Sequence, residues 1–458
     1  MAARTPIGPF RAGRLAVNAY RHQLNPRWLY RAESTLSKPK NDLPPHSLLP
    51  SMVLWRSLLV AAISSHPWLL TPALRTLSLL AHPRVSLLDV DKNPILRGIL
   101  KETFYNHFCA GENAAEVTGT IGRIKHMGFT GVILTYAREI VVDASPQHAN
   151  NPTTAEKNSK EHTETRKSSE IEAWRQGVLE TVEMVLTGAG PQVMHALSSC
   201  QPLPEQMSFA VQDVCIRAIE RNACIFVDAE QQSVQAGIDA VAIDLMRRYD
   251  ENGNSVVYNT YQAYLKSTPG TALSHLGVAE REGFTLGVKL VRGAYINSEP
   301  RHLINDTNSK TDETYNAIAA GLLRRQYGPF GVERQFPSTE LYLATHNEES
   351  ALAADSLYKE RRTTGEPTTK VQYGQLLGMA DEVSCRLLQL RDDSSQAARK
   401  ESPEVYKCLS WGALGDCLSY LLRRAVENRD AVGRTKQEYL ALKVEVRRRS
   451  KNMFTLRS

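Results

Sequence analysis

The sequence predicts an α/β protein built on a distorted (β/α)8 barrel of the TIM type, with an N-terminal helical extension. Two observations predict it. From residue 130 onward, short apolar runs of strand length alternate eight times with segments whose apolar residues recur at helical spacing. No G-x-G-x-x-G follows an early strand, which counts against an open dinucleotide-binding sheet.

The N-terminus accounts for the net charge. The chain has 458 residues and a formal net charge of +6. Residues 1–32 hold six arginines (Arg4, Arg11, Arg14, Arg21, Arg27 and Arg31) and no acid, so removing them brings the charge to zero. An Arg-rich, acid-free leader has the composition of a mitochondrial transit peptide. The local origin of the charge leaves no general case for nucleic-acid binding. With 42% hydrophobic and 23% charged residues, the rest has an ordinary globular balance.

Residues 33–126 read as a polar, Pro-containing linker to about residue 50, then a helical arm. The apolar stretch Ser57–Leu74 is interrupted by Pro67 and Pro72 and flanked by Arg56 and Arg75. It suits helices packing on a core or lying on a membrane surface better than a spanning helix, which needs about 20 clean apolar residues. The barrel is expected over residues 127–435. Its strand candidates are residues 131–137, 182–188, 224–230, 255–262, 286–293, 341–347, 370–376 and 405–411. Residues 145–170 have almost no apolar side chains and read as a solvent loop or disordered insert. Residues 436–458 form a basic tail that suits either anionic lipid or plain solvent. The seven cysteines are scattered with no C-x-x-C pair, as expected of reduced thiols.

Several strand candidates end in chemistry: Asp228 and Glu230, Gln262, Arg292, and Thr345 with His346 and Asn347. In a parallel barrel these ends converge on one mouth, although many strands simply end in polar loops. Asp228 and Glu230, two apart, point to the same side and need cations nearby. Lys289 and Arg292, three apart on one strand, should face opposite ways. If Arg292 faces the barrel, Lys289 faces the helices, which weakens a Schiff-base role for that lysine. Near the C-terminus, Tyr420, Arg423, Arg424 and Glu427 share a helical face. Paired guanidiniums beside an aromatic ring suit a small carboxylate with an apolar body. The same spacing also fits an ion-paired, solvated helix surface.

Seven segments in order, FYNHFCAGE (104–112), VDAEQ (227–231), YNTYQAYLK (258–266), KLVRGAY (289–295), ATHNE (344–348), YGQLLGM (373–379) and YLLRRAVEN (420–428), resemble the proline dehydrogenase family, especially its mitochondrial eukaryotic members. The resemblance covers about residues 95–435. It implies a distorted (β/α)8 barrel holding FAD at the carboxyl ends of its strands. It also implies oxidation of L-proline to Δ1-pyrroline-5-carboxylate, with electrons passing to a quinone of the inner mitochondrial membrane, on the matrix side. Carried over residue by residue, Arg292 and Gln262 match flavin contacts, and Gly293, Ala294, Thr345 and His346 fall in the FAD-lining stretches. Arg423 and Arg424 match the holders of the substrate carboxylate. Tyr420 and Leu376 match residues packed on the proline ring, and Asp228 and Glu427 match acids of the same pocket; Arg292, Asp228 and Tyr420 are the expected catalytic set. No metal is implied.

Three positions depart from the pattern. Val185 stands where the family usually has a lysine reaching the substrate carboxylate, Ser419 replaces a proline, and Trp411 stands in place of a tyrosine. The valine leaves open a hydroxyproline dehydrogenase or a catalytically weak flavin-binding relative. A Schiff-base aldolase using Lys289 is the remaining, distant alternative.

Overall fold

The computed structural model describes residues 43–81, 83, 85–137, 171–172, 175, 183–250, 253–392, 402–427 and 432–455. The leader and the 145–170 insert lie outside these residues.

The arm opens with a 3-10 turn, Pro45–Leu48, and helices α1 (Ser51–Ser64) and α2 (Pro67–Ala81). Helix α3 (Pro94–Leu100) starts with proline in its first turn, and the Asn93 side chain accepts from two of its free amides. It runs on through a π turn, Lys101–Tyr105, and a last α turn to Phe108. Helix α4 (Ala114–His126) leads into the barrel.

Eight parallel strands follow. They are β1 (Gly131–Tyr136), β2 (Glu183–Met184), β3 (Ile225–Val227), β4 (Val257–Gln262), β5 (Leu286–Val291), β6 (Thr339–Ala344), β7 (Lys370–Leu376) and β8 (Glu404–Trp411). Their hydrogen-bonded order is β1-β8-β7-β6-β5-β4-β3-β2, and among the described residues no ladder joins β1 to β2. The barrel sheet is curled, and β1 and β2, at the two ends of this order, come within 8 Å of each other. Its helices are α5 (Pro191–Ser198), α6 (Glu205–Glu220), α7 (Gln232–Arg248), α8 (Thr268–Glu282), α9 (Asn308–Arg324), α10 (Glu348–Thr363), α11 (Asp381–Asp392) and α12 (Leu414–Glu427), with α13 (Val432–Thr455) after them.

The strands read as continuous apolar runs because both faces are covered. Outward, Val288, Leu290, Leu341 and Leu343 join Ile238, Leu276, Ile318 and Leu322 in the main core. Inward, Phe226, Tyr258, Tyr342 and Ile133 fill the lumen, with Phe226 centred 5.1 Å from Tyr258 and 4.7 Å from Tyr342. Gly374 makes room for this filling, since a Cβ there would lie 1.5 Å from the Tyr342 hydroxyl. The floor is closed by the Tyr258 hydroxyl on Glu340 and the Tyr406 hydroxyl on Glu404.

The expected basic tail is largely helix. One face of α13 packs on α1, burying Leu442 among Leu49, Leu54 and Ala61. The Arg449 guanidinium donates to the carbonyls of His46, Ser47 and Leu49 and so closes the first turn of the arm.

Candidate active site

The carboxyl ends of β3, β4 and β5 bring together an ion pair and a hydrogen-bonded acid. Lys289 Nζ donates to Asp228 Oδ1 at 2.7 Å, with the lysine side chain 8% and the aspartate 25% exposed. The ammonium also lies 5.2 Å from the centre of the Phe226 ring. Lys289 therefore points into the lumen while Arg292 turns toward the helices, so the two face opposite ways as their spacing predicts; what the structure corrects is the assumption that Arg292 is the one facing the barrel. With Lys289 paired to Asp228, the lysine serves as the cation of the lumen.

Two residues further on, Glu230 accepts from the Tyr295 hydroxyl and, at 3.1 Å, from Thr187. Burial and the Glu230 carboxylate raise the Tyr295 pKa, while the Arg424 charge opposes them. Asp228 also acts on Tyr295. Arg424 thus belongs to the same electrostatic neighbourhood as Asp228, Glu230 and Tyr295. Its guanidinium lies 5.4 Å from the centre of the Tyr420 ring on its own helix, and Tyr420 is buried. Arg423 is half-buried on the same helix, and Glu427 is its last residue.

Arg292 turns toward the helix layer. It donates to Asp312 (2.7 Å), Thr345 (2.6 Å) and Ser350 (2.9 Å), and its guanidinium lies 4.5 Å from the centre of Tyr315. It is held by α9 and α10 and bonded to Thr345. His346 Nε2 accepts from the Leu376 amide at 3.2 Å and so fixes the end of β7. Gln262 bridges neighbouring strand ends, donating to the Glu230 carbonyl (3.0 Å) and accepting from the Ala294 amide (3.1 Å). Gly293 is required at its position. Its φ is +141°, and a Cβ would lie 2.0 Å from the Tyr264 ring. Gly293 and Ala294 thus leave exposed, nearly bare backbone where β5 opens at the mouth.

Val185 follows β2 in extended conformation. It lies one residue beyond the Met184–Val227 pair, level with Asp228. Val185, the position where the family's lysine is expected, thus follows the last paired residue of β2 as Asp228 follows the last paired residue of β3.

Sequence reasoning brought Asp228, Gln262, Arg292, Thr345, His346, Leu376, Tyr420 and Arg424 to one end of the barrel. It missed three partners. Asp312 and Ser350 hold Arg292 from helices with no local signal, and Tyr295, within the KLVRGAY segment, carries the hydroxyl that meets Glu230.

The composition of this mouth agrees with the chain's relatives. Residues 117–437 match the family model described as proline dehydrogenase. The chain is 30% identical over 451 residues to the probable mitochondrial proline dehydrogenase of Schizosaccharomyces pombe, covering 86% of this chain and 87% of that one. It is 34% identical over 229 residues to hydroxyproline dehydrogenase of Bos taurus, covering 49% of this chain and 47% of that one. Its fold is similar to proline utilization A of Bdellovibrio bacteriovorus, with a TM-score of 0.57 at 16% identity. That match covers 88% of this chain and 40% of the bacterial protein. The family match over most of the barrel, together with the long fission-yeast match, shows that this chain belongs to the proline dehydrogenase family.

Proposed function

We propose that this chain oxidises L-proline to Δ1-pyrroline-5-carboxylate, with FAD as its cofactor and a membrane quinone receiving the electrons. What supports the reading is the set of groups at the strand ends, Asp228 paired with Lys289 and Glu230 bonded to Tyr295, together with Tyr420, Arg423 and Arg424 on one helix. A carboxylate with a small apolar ring suits that set: guanidinium forks for the carboxylate, and Tyr420 and Leu376 against the methylenes. Asp228 and Glu427 are the acids assigned to the same pocket.

The mouth also suits a flavin. Gly293 and Ala294 leave open backbone, while Gln262, Thr345, His346 and the Arg292 cation stand on adjoining strand ends. These six residues would hold FAD, which supplies the hydride acceptor when bound. The protein's part is orientation and charge. Arg423 and Arg424 fix the substrate carboxylate, the ring packs on Tyr420 and Leu376, and the Asp228–Lys289 pair keeps the mouth side of the lumen polar but close to neutral.

Residues 1–32 read as a transit peptide, and the relatives named mitochondrial support delivery to that organelle; peripheral attachment to the matrix side of the inner membrane is where a quinone acceptor would be met. Anaerobic titration with proline tests the reaction. The protein should be yellow, and proline should bleach its flavin band. A run with hydroxyproline decides the substrate, because relatives of both names match this chain. Bound flavin that neither compound bleaches refutes the dehydrogenase reading and leaves a flavin-binding relative without turnover.

A further inference from the structure

Outside the barrel, the arm and α13 leave a surface whose composition names its partner. Ten of the sixteen large hydrophobic residues exposed in the described structure fall within residues 43–99. On α1, Met52 is 66% exposed, Trp55 56% and Leu59 48%; on α2, Trp68 is 72% exposed. Isolated exposed apolar residues are ordinary, but this concentration is not. Among the described residues no single helix is long and apolar enough to cross a membrane. The α1–α2 pair is apolar enough only when taken together, and it is bent by 103°. A bent pair of this kind suits a helix corner lying in an interface, with tryptophans at headgroup depth.

Charge completes the argument. Residues 51–81 contain no acid. Helix α13 runs antiparallel along α1, with Arg449 on Ser51 at one end and the Tyr439 ring 5.7 Å from His66 at the other. Its two acids are withdrawn. Glu445 is fully buried between Arg448 and Arg449, and Glu438 is half-buried. Its outward charges are Lys436, Arg447 and Lys451, beside exposed Leu440 and Val444. A second copy of this chain would bring these cations against one another; among the described residues α1, α2 and α13 carry no exposed acid, and Glu102 beside α1 is already taken by Arg56.

We propose that α1, α2 and α13 form a docking surface for an anionic phospholipid bilayer, the helices lying in its plane. This gives the membrane attachment suggested above a definite surface, and it does not depend on the flavin chemistry.

Full-length protein is floated with phosphatidylcholine vesicles, with and without phosphatidylglycerol. Binding should require the anionic lipid. Trp55→Ser with Trp68→Ser should weaken it about tenfold or more. Lys436→Gln with Arg447→Gln and Lys451→Gln should weaken it about a hundredfold. Phe209→Ser, an exposed apolar residue on α6 outside this surface, should leave it unchanged. Hydrogen exchange of the unmodified protein supplies a test that needs no variant: vesicles should protect residues 51–81 selectively. The proposal is overturned if the unmodified protein stays off anionic vesicles or if the tryptophan variant binds as well as it does. It is equally overturned if vesicles leave the exchange of residues 51–81 unchanged, or if the unmodified protein is a dimer that the tryptophan change makes monomeric. Proline bleaching of the flavin, measured without lipid, reports separately on the enzymatic reading.

Discussion

Replacing Glu112 with alanine should loosen the helix that carries the arginine pair. Glu112 Oε1 accepts from the amide of Leu414, the first residue of α12, at 3.1 Å. The same carboxylate takes Arg97 through both oxygens at 2.9 Å and Lys101 at 2.7 Å, and its side chain is only 10% exposed. Losing the cap costs about 1 kcal/mol. The two cations are 40% and 25% exposed, and Lys101 keeps Glu116, so their share is discounted to about 1–2 kcal/mol. The total is about 2–3 kcal/mol. For a chain of this size, an unfolding entropy of about 2 cal/mol/K per residue makes that a fall of about 3 °C in Tm. If about 1 kcal/mol of it appears as misplacement of α12, KM for proline rises about fivefold while kcat changes less. Glu112→Gln keeps the acceptor for Leu414 and should lie between alanine and the unmodified protein. Thermal unfolding and steady-state kinetics of both variants read the outcome. An alanine variant with unchanged Tm and KM would falsify the claim that this carboxylate positions α12.

Gly293→Ala forces a Cβ into the Tyr264 ring at a positive φ, so flavin content after purification should fall severely, measured as the 450 nm to 280 nm absorbance ratio (about 450 and 280 nm). Asp228→Ala leaves Lys289 without its carboxylate in the lumen, and stopped-flow flavin reduction by proline should slow at least about tenfold. Val185→Lys places an ammonium level with Asp228; tighter proline binding by about tenfold is expected, and an unchanged Kd would show that the valine does not limit affinity. Burial holds the His107 pKa at about 4, below the free value of 6.5. The unfolded chain takes up that proton first, so this contribution is complete above pH 6.5 and falls by roughly 3 kcal/mol toward pH 4. Burial pushes Glu438 up to about 7, and its contribution has the opposite sign, complete below pH 4.5 and lost as pH rises through 7. Between about pH 4.5 and 6.5, denaturation midpoints should therefore rise more steeply with pH in Glu438→Gln than in the unmodified protein, and less steeply in His107→Gln; equal slopes in all three would refute the assignment.

The strands were legible because a parallel barrel buries both strand faces. The run at 370–376 coincides with β7 residue for residue. The run at 182–188 shrank to two strand residues because the chain turns into a 3-10 helix at Leu186 and reaches Gly190 at φ +103°. Spacing gives Lys289 and Arg292 opposite faces but does not say which of them enters the lumen; Asp228 draws in the one, and Asp312 and Ser350 hold the other among the helices. Arg292 was found by its motif, but its partners Asp312 and Ser350 come from helices 20 and 58 residues away, where nothing local marks them. The buried pair Lys407–Asp381, with side chains 3% and 5% exposed, was equally invisible, because its two halves sit on different elements and each reads as an ordinary surface charge.

The bond between Arg449 and the turn at His46–Leu49 has a consequence for how the molecule is made. The residues it joins stand about four hundred positions apart, so the arm cannot seat until nearly all of the polypeptide has left the ribosome, or the far side of any translocation pore. Until then α1 carries an uncovered apolar flank, and a chaperone that recognises such flanks has its longest opportunity there. Shortening the chain after residue 440 would extend that exposed interval indefinitely, so such truncations should aggregate during synthesis even though every strand of the barrel is intact.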